Sequence, residues 1–301
     1  MSSSGPPGDA RERALNLGFW SGPLEIEPLK GGITNRNFLV RQRGERYVVR
    51  IGGDIPIHGV MRFNELAAAE AAFQAGISPE ILHHEPGAIV MRFVEGRTLT
   101  AAELRAPAML ARIVPLLQRV HTEMPKYLRG PVLAFWVFHV LRDYAHTLSA
   151  AGSAHAARLP RLMEIAARLE QAVGAIELVF AHNDLLAANF IDAGKRLWLV
   201  DWDYAGFNSA LFDLANLASN ADLAPADELR MLEAYYGRPA DATRRRRFQA
   251  MKCASLLREA MWSMVSEICS AIDFDYAAYT AENLARFERI YAAFERPSVR
   301  P

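Results

Sequence analysis

The stretch "FAHNDLLAANFIDAGKRLWLVDWDYAG", residues 180–206, sets Asp184, Asn189, Asp201 and Asp203 among apolar neighbours, where a polar group buried without a partner costs free energy. Asp184 and Asn189 lie five residues apart on what reads as a loop, and Asp201 follows at the end of a hairpin strand. Leu185, Leu186, Phe190 and Ile191 bury that loop, so acidic and amide groups converge on one point and call for a cation to offset repulsion and desolvation. Phosphoryl transfer asks for such a set. One carboxylate orients the attacking hydroxyl and accepts its proton, while an amide oxygen and a second carboxylate hold Mg²⁺ against the phosphates of ATP. Asp184, Asn189 and Asp201 suit those roles in that order, whereas Asn183 and Asp192 read as ordinary turn residues.

Several elements must position these groups. "ANFI" and "RLWLVDW" flank "DAGK", whose Asp and Gly suit a tight hairpin turn. Upstream, between Leu24 and Gly96, short β-rich runs ("NFLVRQ", "RYVVRI", "GAIVMRFV") predict a small antiparallel sheet. One Ala-rich helix, "RFNELAAAEAAFQAG", interrupts it and is closed by Gly76. After "VEGRTLT" long helical patterns take over, at 101–121, 132–148, 158–173, 225–236, 243–272 and 276–294. The expected architecture is an α+β fold of two lobes, with a small sheet-and-helix lobe over 13–95 and a larger, mainly helical lobe over 96–301. Residues 1–12, "MSSSGPPGDARE", read as a disordered leader.

At 301 residues the chain has room for both lobes, and 34 basic residues against 34 acidic ones leave no global field to draw nucleic acid or an anionic membrane. The basic run Arg244 to Arg247 reads as a solvated helix face. The two cysteines, Cys253 and Cys269, lack metal-binding spacing and read as buried free thiols. The longest apolar run, "PVLAFWVFHVL", is about half of what a bilayer crossing requires. A cytoplasmic protein with no membrane insertion is expected, either monomer or homodimer.

"HNDLLAANFI", "LWLVDWDYAGFNSALFDLAN", "GGITNRNFLV" and "SAIDFDYAAY" together resemble the choline/ethanolamine kinase family, within the wider aminoglycoside phosphotransferase-like group. The resemblance implies a protein-kinase-like two-lobe fold, ATP and Mg²⁺ as cofactors, and a small amino alcohol such as choline or ethanolamine as acceptor. Thiamine and aminoglycosides are the alternative acceptors. It makes Asp184 the catalytic residue and Asn189 and Asp201 the metal ligands, with His182 and Asp213 bracing the loop. Gly31, Gly32, Thr34 and Asn35 would lie over the phosphates, and Arg50 would pair with them as a bidentate guanidinium. Its helix partner is open between Glu65, which the family register selects, and Glu70, which the stripe Phe63, Leu66, Phe73 places nearer the apolar face. Glu95 and Gly96 would form the hinge that meets the adenine.

The acceptor side implied by the resemblance comprises Asp203, Tyr204, Trp262, Tyr276 and Tyr279, since aromatic faces attract an ammonium. Trp262 and Tyr279 could equally be core packing, and Phe274 reads as core. Two positions depart from the animal choline kinases. Val265 stands where a second tryptophan is expected, and Asn220 where an acidic residue is.

Overall fold

The structure, a computed structural model, describes residues 7–29, 35–270 and 272–296. Five strands, β1 (Glu25–Leu29), β2 (Arg36–Gln42), β3 (Glu45–Ile51), β4 (Ile81–Glu85) and β5 (Ala88–Arg92), form one antiparallel sheet in the order β1-β2-β3-β5-β4. The β2–β3 turn places Arg43 and Gly44 both at positive φ, the geometry that matches a two-residue hairpin to strand twist. One sheet face buries Phe38, Val40, Val49, Ile51 and Val90 beneath a short helix, α1 (Pro7–Leu15), whose Ala10 and Ala14 are buried against it. That corrects the leader drawn over residues 1–12: residues 7–12 are helical, because two alanines one turn apart give this segment an apolar edge that fits the sheet.

Helix α2 (Arg62–Gln74) crosses between β3 and β4. The stripe Phe63, Leu66, Phe73 does not face the core: Phe63 and Phe73 are exposed, and the buried face is Asn64, Glu65, Ala68, Ala69, Ala71 and Ala72. Small side chains let the helix seat closely, and those alanines join the large core of the helical region. Asn64 fastens the contact, donating to the Ala205 carbonyl and accepting from the Leu133 amide, each at 2.8 Å.

Beyond the short strand β6 (Arg97–Thr98) come α3 (Ala101–Leu104), α4 (Pro107–Thr122), α5 (Val137–Ala150) and α6 (Leu159–Val173). The helix expected over 101–121 breaks at Pro107, which holds Ala106 extended. The helix expected from 132 begins at Val137, because Leu133 and Phe135 instead exchange backbone hydrogen bonds with Phe207 at 2.9 Å. Strand β7 (Leu178–Ala181) pairs with β10 (Gly206–Ser209), and between them runs the hairpin of β8 (Phe190–Asp192) and β9 (Leu197–Leu199). Helices α7 (Ala210–Ala221), α8 (Pro225–Tyr236), α9 (Ala242–Cys269) and α10 (Tyr276–Glu295) complete the chain. The 28-residue α9 is buried almost throughout from Phe248 to Ser266, with α5, α6, α7 and α10 packed around it. Among the described residues no helix is long and apolar enough to cross a membrane.

Smaller expectations are corrected here. Cys253 is buried but Cys269 is exposed, and Phe274, expected in the core, is also exposed. The basic run is not simply solvated: Arg244 stacks on Tyr236, Arg246 on Phe294, and Arg247 donates to the Ala175 carbonyl.

Replacing Asn64 with Ala strands the buried Ala205 carbonyl and the half-buried Leu133 amide, a cost of about 1–3 kcal/mol for each group left unpaired in the interior. The expected result is a lower urea midpoint for Asn64→Ala with the m value unchanged. An unshifted midpoint would show that those groups find other partners.

Candidate active site

The segment from His182 to Asn189 leaves β7 and turns at Asn183, a non-glycine residue with φ of 66°. That conformation is held by a buried network. Asn183 donates to the carbonyls of Tyr204 and Gly206 at 2.9 and 3.2 Å and accepts from Asn208 at 2.8 Å. Asn183 is thus no simple turn residue, because its side chain satisfies the strand ends on either side of the loop. Below it the Asp213 carboxylate accepts from the backbone amides of His182 and Asn183, at 2.9 and 2.7 Å, and meets His121 Nε2 at 3.0 Å. Burial pushes the Asp213 carboxyl upward, but His121 and the amides outweigh it and hold it below the ordinary carboxylate range. The imidazole of His182 reaches the Val200 carbonyl at 3.0 Å, and burial lowers its pKa.

Two further residues pin the loop. Asn216 on α7 accepts from the Leu185 amide, and Asn220 donates to the Leu185 carbonyl at 3.2 Å, so Asn220 braces the loop. Asn189 donates to the Asp184 carbonyl at 2.9 Å, which occupies its NH₂ and leaves its amide oxygen for another group. The Val200 amide donates to the Asn189 carbonyl, which brings the end of β9 beside the loop. The next residue, Asp201, has φ of 72° and turns its carboxylate back toward the sheet.

There it joins an ionic cluster. Arg50 Nη1 from β3 lies 2.7 Å from Glu65, 2.9 Å from Asp201 and 3.2 Å from Asp203. Glu65 is therefore the helix partner, and Glu70 is exposed. Arg62, three residues before Glu65, pairs with both Glu65 and Asp203, at 2.5 and 2.8 Å. Asn35 donates to Asp203 at 2.8 Å. Burial raises the Asp201 carboxyl, but Arg50 dominates and leaves it below its ordinary value. Asp203 goes the other way, pushed up to about 6 by burial and by its neighbours Asp201 and Glu65. Asp203 is thereby placed in the guanidinium cluster and not with the aromatic residues.

Asp184 faces the opposite wall. Its side chain is 17% exposed, and Arg258 Nη1 from α9 stands 3.7 Å away. Burial pushes the carboxyl up to about 7, with Glu259, Asp201 and Asp203 adding to the rise and Arg258 opposing it. Arg258 stacks 4.4 Å over the Tyr204 ring, and the Tyr204 hydroxyl accepts from Trp262 Nε1 at 2.9 Å. Trp262 packs edge-on to Tyr276 and Tyr279, at 6.0 and 6.4 Å between centroids. Tyr204, Trp262, Tyr276 and Tyr279 are thus brought together beside Asp184. Val265, one turn along α9 from Trp262, is fully buried in the core.

Other expected residues lie elsewhere. The Glu95 side chain is exposed and paired with Arg46. A Cβ on Gly96 would meet Ile191 at 2.8 Å, so glycine is what allows the crossing to lie against β8. Gly31, Gly32 and Thr34 lie outside the described residues.

Arg62, Arg258, Glu259, His121 and Asn183 were not singled out as site residues by the sequence. The signal for the first three was a charge on an otherwise buried helix face, which is tolerated only when it is paired. Among the described residues no three His, Cys, Asp or Glu side chains form a ready metal cage. Mg²⁺ does not require one, since it keeps several waters and phosphate oxygens alongside one or two carboxylates. The oxygens of Asn189, Asp201 and Asp203 are of the hard type it prefers. Buried Arg50 Nε and Arg62 Nη2 have no hydrogen-bond partner among the described residues, and the same holds for Arg258 Nε and Nη2 on the other side.

The sequence profile of choline/ethanolamine kinases matches residues 26–224. "Protein LicA" of Haemophilus influenzae is 29% identical over 210 residues, which cover 68% of this chain and 61% of that protein. A "probable choline kinase 2" of Arabidopsis thaliana is 26% identical over 306 residues, covering 89% of this chain and 85% of that one. The crystal structure of a choline/ethanolamine kinase family protein from Mesorhizobium loti superimposes with a TM-score of 0.75 at 28% identity, over 96% of this chain and 95% of that one.

The raised Asp184 carboxyl makes a stability prediction for the protein without metal or nucleotide. The folded state keeps a proton on Asp184 up to about pH 7, whereas the unfolded chain releases it near 3.8. Its contribution to stability is therefore present at low pH and lost as pH rises through about 7. Asp184→Asn removes this dependence, so its stability relative to wild type should rise by ~1.4 kcal/mol for each pH step of one between about pH 5 and about pH 7, and level off above. Urea unfolding in EDTA at about pH 5 and about pH 8 measures it, and a constant difference would show that Asp184 is not desolvated.

Proposed function

Because the chain belongs to the choline/ethanolamine kinase family, we propose that it transfers the γ-phosphoryl group of ATP to the hydroxyl of a small amino alcohol, choline or ethanolamine. The observation that carries this reading is the convergence in one cleft of Asp184 and Asn189, the Arg50–Glu65–Asp201 cluster, and an aromatic wall beside Asp184.

In this mechanism Asp184 accepts a hydrogen bond from the acceptor hydroxyl and aims its oxygen lone pair at the γ-phosphorus. As the new O–P bond forms, the bond from the γ-phosphorus to the β–γ bridging oxygen breaks. ADP leaves with that electron pair, and the hydroxyl proton passes to Asp184 and then to solvent. A carboxyl poised at about 7 suits proton transfer near neutrality. Asn189, Asp201 and Asp203 are the residues to hold Mg²⁺, which when bound would offset the negative charge of the phosphates. Arg50 and Arg62 present further positive charge to those oxygens, and Glu65 keeps both guanidinium groups in place. Tyr204, Trp262 and Tyr279 shape the acceptor end, where a cationic amine gains from aromatic faces.

Asp184→Asn is expected to lower kcat by about 10²- to 10⁴-fold while changing the KM for ATP little. ADP release measured across choline, ethanolamine, thiamine and an aminoglycoside tests the acceptor class. Full turnover by Asp184→Asn would refute the role of this residue, and no response to choline and ethanolamine would refute the substrate.

A further inference from the structure

The wall beside Asp184 carries a carboxylate that the mechanism above does not use. Glu259 lies three residues before Trp262 on α9, so the two side chains share one face of the helix. Its oxygens are held by separate partners: the Tyr279 hydroxyl donates to Oε1 at 2.7 Å, and Arg258 Nη1 donates to Oε2 at 2.9 Å. The Glu259 side chain is 22% exposed and that of Arg258 only 2%, so an entering molecule meets the carboxylate and not the guanidinium. Arg258 Nη1 stands 2.9 Å from Glu259 Oε2 and 3.7 Å from Asp184 Oδ1, so the two carboxylates flank one guanidinium nitrogen. An acceptor whose hydroxyl reaches Asp184 thus has its amine within range of Glu259.

Each carboxylate oxygen has two lone pairs, so one on each remains after the bonds to Tyr279 and Arg258. A quaternary ammonium has no N–H to give them, and its methyl groups keep the nitrogen beyond hydrogen-bond distance. An ammonium that keeps an N–H forms a charge-assisted bond there. On the aromatic side of the pocket, one face of Tyr204 is taken by Arg258 at 4.4 Å, and Phe135 packs edge-on to the ring at 6.1 Å. The Trp262 ring is itself buried, with His58 5.3 Å away between centroids. The faces of Tyr204 and Trp262 are thus largely taken, which leaves Phe274 and Tyr279 as the aromatic surface open to an ammonium.

We propose that Glu259 binds the amine of the acceptor through an N–H bond and selects amino alcohols that carry one, the ethanolamine class, over quaternary ones. Tyr279 and Arg258 are the positioning residues that hold the carboxylate open. The assignment rests on the amino-alcohol kinase reading and names the substrate class within it.

The test is kcat/KM from ADP release with ethanolamine, N-methylethanolamine, N,N-dimethylethanolamine and choline, for wild type, Glu259→Gln and Tyr279→Phe. In the wild type the largest single drop should fall between N,N-dimethylethanolamine and choline, where the last N–H is lost, at about 10- to 100-fold for one charge-assisted hydrogen bond. Glu259→Gln should raise KM most for the acceptors that carry an N–H, so that their advantage over choline narrows. Tyr279→Phe should narrow it less. ATP binding by each variant, read by calorimetry, reports that the cleft is folded. A wild type that prefers choline, or a loss in Glu259→Gln that is equal for all four acceptors, overturns the role of Glu259 and leaves the kinase reading in place. No turnover of any of the four by wild type that binds ATP overturns the kinase reading itself, and this assignment with it.

Discussion

A charge buried without a partner is among the most destabilising things a protein can carry, and the cleft of this one is organised around that cost. Arg50 on the sheet, Glu65 and Arg62 on α2, and Asp201 and Asp203 after the hairpin satisfy one another within about 3 Å. Removing any member would take a partner from at least one other buried charge, so strand, helix and loop are held in one relative placement. Such a cluster adds little to net stability compared with an apolar core of equal volume. Its value lies in specifying where two carboxylates point.

The loop that carries Asp184 is governed by the same rule applied to backbone groups. Asp213 satisfies two successive amides, Asn216 a third, and Asn183 the carbonyls of the flanking strand ends. Asn183 and Asp201 both adopt left-handed backbone, which costs of order 1–3 kcal/mol per residue and persists only where the surroundings over-determine it. Here they do. Both residues sit at the bends that turn side chains into the cleft, so the strain falls where direction matters most.

The two walls of the cleft differ in electrostatic character. On the sheet side guanidinium groups outweigh burial and keep Asp201 ionised. On the α9 side a single guanidinium is shared between Glu259 and the more distant Asp184, and burial leaves the Asp184 carboxyl titrating near neutral pH. The two acids therefore differ in how strongly they are paired, one fixed by guanidinium groups and the other only loosely held.

Much of this was legible from residue order. Alternating apolar runs with turn residues between them announce the sheet and the β8–β9 hairpin, and the spacing of Asp184 and Asn189 sets both on one loop, because both are local properties of the chain. What required the tertiary structure were pairings across long separations. Glu65 and Glu70 both lie on α2, and only the seating of its alanine face on the helical core turns Glu65 to Arg50 and Glu70 to solvent. Asn183 looks like any turn residue until β7 and β10 are paired around it. Arg258 and Glu259 look like two charges on a long helix until burial makes one a fixed cation and leaves the other open. Local pattern determined which elements form, since neighbours in sequence decide those. The partners of buried charges were decided by packing, because desolvation acts only once the chain has closed around them.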